Sequence, residues 1–257
     1  MKNTLYILFI ITCTILCRTS LPAQNSFTYR YDASDKIIHI ETSEGNLTDY
    51  QYDELGNRIG MTINHLKTFT IRIIPEGLYN PLTQHLNKAQ NGSGNEFGEN
   101  IADSIQVEIH QNTFPFSKIG NSFATTLNTN GNIELSIPSS YSGSYYVVVK
   151  HRNSIETWSA IPISLVGLAV SYDFTTSGAQ AFGSNLKNIN GKYCMYGGDV
   201  NQDGIVDGSD MAQVDNASTA ILHGYINTDV NGDGVVDATD MAMVDNNSTG
   251  IVHVHKP

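Results

Sequence analysis

Cysteine is scarce in these 257 residues, and so is positive charge. Cys13 and Cys17 sit in an apolar N-terminal run, which leaves Cys194 alone in the rest of the chain. One thiol cannot build an intramolecular disulfide framework. Beside Tyr193 and Met195 it reads as a buried side chain rather than a reactive one. Lysine and arginine total 14 against 25 aspartate and glutamate, and the net charge of -11 argues against a nucleic-acid partner. No Gly-x-Ser-x-Gly elbow, His-Glu-x-x-His pair or phosphate-cradling glycine loop occurs. Glycoside hydrolysis needs two carboxylates flanking a cleft. Glu108, Glu134, Glu156 and Asp173 lie in or beside apparent strands, where carboxylates are mostly solvated face residues. The expectation is a non-catalytic protein.

Apolar runs are sparse too. The long one, Leu5 to Cys17, follows Met1-Lys2-Asn3 and precedes Leu21-Pro-Ala-Gln24. It is too short to cross a bilayer and has the order of a secretory signal peptide, 1–23, cut after Ala23. No later run could span a membrane, so no transmembrane segment is expected and the chain is read as secreted, extracellular or cell-surface.

What the last quarter has in excess is aspartate, in a repeated pattern. Asp199-Val-Asn-Gln-Asp-Gly-Ile-Val-Asp-Gly-Ser-Asp210 recurs as Asp229-Val-Asn-Gly-Asp-Gly-Val-Val-Asp-Ala-Thr-Asp240. Oxygen side chains fall at positions 1, 3, 5, 9 and 12 of each copy, with glycine at 6, as in an EF-hand-type calcium loop. Calcium takes six to eight oxygens, and this alternation lets a tight turn point several inward. The expected ligands are Asp199, Asn201, Asp203, the Ile205 carbonyl, Asp207 and Asp210, then Asp229, Asn231, Asp233, the Val235 carbonyl, Asp237 and Asp240. The side chains of Ile205 and Val235 are expected to pack inward. So are Met211, Val214 and Ile221, like Met241, Val244 and Ile251, which recur near a helical interval and are expected to form a shared core. His223, His253 and His255 offer a second, transition-metal candidate.

The paired loops, each followed by a helical stretch, resemble a type I dockerin. Aspartate rather than glutamate stands at position 12, and Tyr193-Cys-Met-Tyr196 before the first loop reads as extended; both fit dockerins, whose loops lack an entering helix. The resemblance implies two Ca²⁺ sites and a cohesin-like or other extracellular protein partner. Dockerins attach enzymes to scaffolds in polysaccharide-degrading machinery. The segments after the loops, 211–221 and 241–251, carry no lysine or arginine where such dockerins often carry basic residues. The alternative is a structural surface or adhesion protein in which calcium only stabilises the fold. With calcium at a hundred times its dissociation constant, each site would contribute about 2.7 kcal/mol, decisive for a core this small.

The remainder reads as mainly β. Tyr29-Arg-Tyr31-Asp32 and Tyr50-Gln-Tyr52-Asp53-Glu-Leu-Gly56-Asn57-Arg58, with a Gly45-Asn46 turn between them, predict β-hairpins over 24–66. They resemble the YD (RHS) repeat of bacterial surface proteins, although Ala33-Ser34-Asp35 replaces the glycine turn in the first copy. Exposed tyrosines there, and Trp158 with Tyr145 and Tyr146, are glycan-stacking candidates weighed against plain packing. From 67 to 178, alternating strands with Gly/Asn/Ser/Pro turns predict an immunoglobulin-like β-sandwich of about seven strands. Residues 179–198 read as a linker, and 199–257 as a small α dockerin-like calcium domain. The phrase Val148-Val-Lys-His-Arg-Asn-Ser-Ile-Glu-Thr-Trp158 resembles a segment preceding calcium-loop pairs in secreted Bacteroidota proteins.

Overall fold

The computed structural model describes residues 27–42 and 47–257; the expected signal peptide and the Gly45-Asn46 turn lie outside the described residues. The chain divides into two units, residues 1–68 with 136–142, and residues 69–135 with 143–257.

The first unit carries an antiparallel meander, β1 (Phe27–Tyr31), β2 (Ile37–Thr42), β3 (Leu47–Tyr52) and β4 (Arg58–Asn64), in that order. Its two repeat turns are built alike. Asp32 N donates to Lys36 O and Asp53 N to Asn57 O, both at 2.9 Å. Each aspartate also folds its carboxylate back on the turn, Asp32 Oδ1 accepting from Lys36 N at 3.0 Å and Asp53 Oδ1 from Asn57 N at 2.8 Å. These hydrogen bonds, from Lys36 and Ser34 backbone in one and chiefly Asn57 in the other, hold both carboxyls below their ordinary pKa. The second turn needs Gly56 at φ 85; the first reaches the same region with Asp35 at φ 58. Aspartate tolerates the left-handed region better than most residues, so the missing glycine does not abolish the turn. Lys36 lies over the Tyr52 ring at 5.3 Å and Arg58 over Tyr50 at 5.5 Å, so these tyrosines serve cross-strand packing.

The chain passes into the second unit within β5 (Leu66–Arg72) and continues with a 3-10 turn (Glu76–Leu78) and two small ladders, β6 (Tyr79–Asn80) with β7 (His85–Leu86) and β8 (Gln90–Asn91) with β9 (Gly94–Asn95). Then follow β10 (Ile101–His110), β11 (Phe123–Asn128), β12 (Asn132–Pro138), β13 (Ser144–His151), β14 (Ser154–Trp158), β15 (Ile163–Ser164) and β16 (Ala169–Asp173). One sheet runs β11-β10-β13-β14 with β15 also on β13; the other runs β12-β5-β16. Together they make the β-sandwich. Alternation selects the core in β5 and β12, where Phe69 and Ile71, and Ile133 and Ile137, are wholly buried. Val107 and Ile109 in β10 and Val147, Val148 and Val149 in β13 are wholly buried too, the central strands being covered on both faces. A fully buried side chain of this kind contributes about 1.5–3 kcal/mol.

In the sandwich, packing is the outcome for Trp158 of the two readings weighed, and one expectation, that of a solvated Glu108, is corrected. Trp158 is 4% exposed, 4.5 Å from the His110 ring, and donates from Nε1 to Glu156 Oε1 at 2.5 Å, so it belongs to the core and offers no sugar platform. Glu108 is buried rather than solvated. It accepts from Ser122 Oγ at 2.8 Å, meets His110 Nε2 at 3.0 Å and lies 3.5 Å from both Lys118 and Lys150. Burial opposes its ionisation, but the His110 and Ser122 hydrogen bonds and the two lysines outweigh it and bring the pKa to about 2. A depressed carboxylate pKa stabilises the fold above the ordinary value near 4.5, and that contribution is lost as pH falls through the folded value. We therefore expect urea midpoints of wild type to fall between pH 4.5 and pH 2, and Glu108→Gln to flatten that part of the profile.

The Gly-, Ser- and Asn-rich stretch 179–198, read as a linker, is built into the second unit. It contains 3-10 turns and the antiparallel pair β17 (Lys187–Ile189) and β18 (Lys192–Cys194). Leu186, Cys194 and Met195 anchor it in the core, and burial pushes the Cys194 thiol up to about 12.

Two helices follow, α1 (Gly208–Thr219) and α2 (Ala238–Thr249). Asp207 and Asp237 cap them, each closing a capping box with Asp210 or Asp240 three residues on. Val200, Val206, Val214 and Ala217 pack with Val230, Val236, Val244 and Ile155 of β14 in one core. Two details differ from the sequence pattern. Ile205 and Val235 are exposed, and their neighbours Val206 and Val236 turn inward. The ladder bonds Val206 N to Val252 O and Val236 N to Leu222 O pull in that second position. Ile221 and Ile251 are 75% and 73% exposed, because each helix has ended and these residues adopt φ 54 and 52. The left-handed turn swings them to solvent, and Val252 packs against the core instead.

Candidate metal centre

In each loop the first and last aspartates are buried, and of the middle ones all but the half-buried Asp237 face outward. Asp199, Asp210, Asp229 and Asp240 are all nearly or wholly inaccessible, whereas Asp203, Asp207 and Asp233 are exposed. In the first loop, Asp199 accepts from Asp203 N at 3.1 Å and Gly204 N at 3.2 Å. Asp210 Oδ1 accepts from Val200 N at 2.9 Å and Asn201 N at 3.2 Å, and its Oδ2 from Asp207 N at 3.0 Å. Asn201 Oδ1 accepts from Asp203 N at 2.8 Å while its Nδ2 donates to Asp203 Oδ2 at 2.9 Å. The second loop repeats this: Asp229 accepts from Gly234 N at 3.1 Å, Asp240 from Val230 N at 2.7 Å, and Asn231 Nδ2 donates to Asp233 Oδ2 at 3.0 Å. Asp207 and Asp237 differ from the rest. Their Oδ1 atoms are turned to Ser209 and Thr239 at the helix N-termini, at 2.7 Å to each amide.

The electrostatics are unfavourable for the protein alone. Burial, then the charges of Asp210 and Asp203, push Asp199 up to about 7. Burial pushes Asp229 up to about 6, with Arg152 opposing and Asp240 and Asp233 adding to it. Burial likewise raises Asp210 and Asp240 despite the backbone amides they accept from. Buried carboxylates that crowd one another favour a bound cation. Among the described residues, no three His, Cys, Asp or Glu side chains converge as a metal cluster. The four aspartates expected as ligands in each loop are thus not gathered around one point; what each loop does bring together is its first and last aspartate, both buried. The oxygen-only chemistry and the buried charge fit Ca²⁺. His253 and His255 have ring centroids 4.5 Å apart, but the Nδ1 atoms of His223 and His253 are turned to the carbonyls of Ile221 and Ile251.

This doubled loop-and-helix arrangement has a family counterpart. Residues 197–247 match the dockerin type I domain. Residues 31–63 match the RHS repeat. No curated protein gave a match. Among solved structures, a C-terminal and an N-terminal interface mutant of a type II cohesin–X-dockerin complex from Acetivibrio cellulolyticus are similar at 17% and 16% identity. Their TM-scores are 0.42 and 0.41, over 72% of this chain and 99% of theirs. Among the described residues no helix is long and apolar enough to cross a membrane.

The dockerin-like tail is fastened to the sandwich by residues that periodicity did not single out. On α2, Asn247 donates from Nδ2 to Glu76 Oε2 and to Gly197 O, both at 2.8 Å, and accepts from Lys187 Nζ at 2.9 Å. Lys187 and Glu76 also pair directly. The equivalent position on α1 is Ala217, which makes no such bonds and borders a shallow concavity with Gln213, Asn216 and Leu222. The second loop itself presses on the sandwich. Gln90 N donates to Gly232 O at 3.0 Å, and a Cβ on Gly232 would stand 2.4 Å from Leu78 Cδ2. The first loop has Gln202 at the matching place, exposed to solvent. Gly232→Ala is expected to lower stability by about 1–3 kcal/mol through crowding and its φ of 75; urea unfolding checks it, and no loss would contradict the close approach.

Proposed function

We propose that each loop takes one Ca²⁺ and that the loaded tail attaches this chain to another extracellular protein, a cohesin-like module. The proposed ligands are Asp199, Asn201, Asp203, the Ile205 carbonyl, Asp207 and Asp210, and Asp229, Asn231, Asp233, the Val235 carbonyl, Asp237 and Asp240. Calcium would supply the charge that the buried aspartates lack. The observation that carries the reading is the recurrence of one hydrogen-bonded carboxylate nest in both loops, with its first and last aspartates buried. On this reading the chain is secreted and non-catalytic and serves in polysaccharide-degrading machinery, with modules at 24–66, 67–178 and 199–257. Calorimetric titration of the full chain tests the metal, and capture of cohesin-like modules in calcium but not in EDTA tests the attachment. Capture that ignores EDTA, or none in either buffer, would overturn the attachment role.

Two observations favour a structural reading. α1 and α2 carry no lysine or arginine, and the Asn247 face of α2 is already covered by the sandwich. It predicts that chelation lowers stability while no partner is captured.

A further inference from the structure

The second loop has something the first lacks, a resident cation contributed by the sandwich. Arg152 stands at the turn between β13 and β14, inside the phrase 148–158. Its Nη1 donates to the carbonyls of Ile226 and of Asp229, the latter at 2.8 Å. Its Nη2 is buried, has no hydrogen-bond partner among the described residues and lies 3.9 Å from Asp229 Oδ2. Nε donates to Asp103 Oδ2 at 3.3 Å, and the guanidinium lies 4.7 Å from the Tyr225 ring centroid. Asn153 adds a second donor to the Asp229 carbonyl at 2.9 Å. Asp229 is the residue whose carboxylate organises this loop, accepting from Gly232 N at 2.9 Å and Gly234 N at 3.1 Å.

The first loop has a similar carboxylate arrangement, Asp199 accepting from Asp203 N and Gly204 N, without that support. The carbonyl of Asp199 is met by the neutral amide of Gln202 at 2.6 Å. Among the described residues, no lysine or arginine forms an ion pair with an aspartate of 199–210. A guanidinium stays protonated in proteins, so the charge beside Asp229 is present whether or not a divalent ion is bound. At 3.9 Å in a dry setting that attraction is substantial, and among the described residues Nη2 has no competing partner. The carbonyl bonds fix the entrance of the loop at the same time.

We infer that Arg152 is a positioning residue for the second loop, holding it in its folded form when no calcium is bound, while the first loop depends on calcium for its shape. The inference rests on the reading of both loops as calcium sites. It separates the two sites by what each requires rather than by their own near-identical sequences.

The position-6 glycines, Gly204 and Gly234, are the reporters, since each amide donates to the first aspartate of its loop, at 3.2 and 3.1 Å. Gly234 is the more buried of the two, so the change made by Arg152→Gln is the deciding comparison. Amide hydrogen exchange of the full chain, resolved by NMR, is measured in calcium and in EDTA. In EDTA, Gly234 of wild type is expected to exchange more slowly than Gly204 by about tenfold or more, the scale of a lost charge-assisted hydrogen bond. Arg152→Gln is expected to bring the two within about twofold in EDTA, with Arg152→Lys keeping Gly234 the slower. The wild-type comparison stands even if a variant folds poorly. Equal exchange of the two glycines in wild-type EDTA samples, or a ratio unchanged in Arg152→Gln, would overturn the inference. If calcium moves neither glycine resonance, the calcium reading itself fails; if it moves both yet the loops lose protection together, only the role of Arg152 fails.

Discussion

Chelation with EDTA should lower the unfolding free energy of the second unit by about 5 kcal/mol when compared with calcium at a hundred times its dissociation constant, since each filled site contributes about 2.7 kcal/mol. The effect is large because the tail has little else. Residues 199–257 carry about ten aspartates against the single Lys256, and their core is a small valine cluster capped by Ile155 of β14. The first and last aspartates of each loop are buried beside like charges, a cost that a divalent ion reverses. Denaturant unfolding followed by the fluorescence of Trp158, which lies in the same unit, measures it. Asp203→Ala and Asp233→Ala should each remove about half of the calcium-dependent gain. Superimposable curves in calcium and EDTA would end the metal reading.

Asp103→Ala should be the most damaging single substitution in the sandwich, costing about 3–5 kcal/mol as expected when one partner of a buried ion pair is removed. Asp103 is wholly buried on β10. It accepts from Tyr225 Oη at 2.5 Å and from Arg152 Nε at 3.3 Å, and meets His151 Nε2 at 3.1 Å. His151 in turn reaches Ser154 Oγ at 3.0 Å. Burial works against ionisation of Asp103, yet His151, Arg152 and Tyr225 bring its pKa down to about 2. Without it the Arg152 charge stays buried with one partner fewer. Asp103→Asn, which keeps the shape and an acceptor oxygen, should cost less. Urea unfolding in calcium measures both. A loss below about 1 kcal/mol for the alanine variant would contradict the arrangement. The sign with pH follows from the depressed value: the carboxylate contributes fully above its ordinary pKa of 3.8 and loses that contribution as pH falls through about 2.

What was legible in the sequence was local chemistry. The paired loops could be recognised because their oxygen side chains recur two or three residues apart within one turn in both copies, and many strands because alternation maps to sheet faces. The helices followed from the caps, since Asp207 and Asp237 mark both the end of a loop and the start of a helix. The errors came at transitions between those periods. A helical interval continued to Ile221 and Ile251, but the chain had already left the helix in a left-handed turn. Position 7 was assigned inward, whereas the ladder to the other repeat selects position 8. The residues that fasten the tail were the least visible. Arg152 lies 49 positions from Asp103 and 77 from Asp229, and Asn247 lies 171 from Glu76. Polar pairing over such distances leaves no trace in any window of sequence. The phrase 148–158 stood out as a resemblance, and only the structure supplied its physics. His151, Arg152 and Asn153 are held by Asp103 or by the second loop, and Trp158 anchors the adjoining strand.

The bonds around Gly197 and Gly198 bear on how this molecule could be divided. Gly198 N donates to Asn153 O at 2.7 Å, and Gly197 lies between Glu76 and Asn247. Severing the backbone just before Asp199 and producing the tail as a free-standing peptide would strip Ile155 from its core and leave the Asp229 carbonyl without Arg152 and Asn153. This tail is therefore no portable tag: grafted onto a foreign carrier, it would arrive with one of its two sides unfinished.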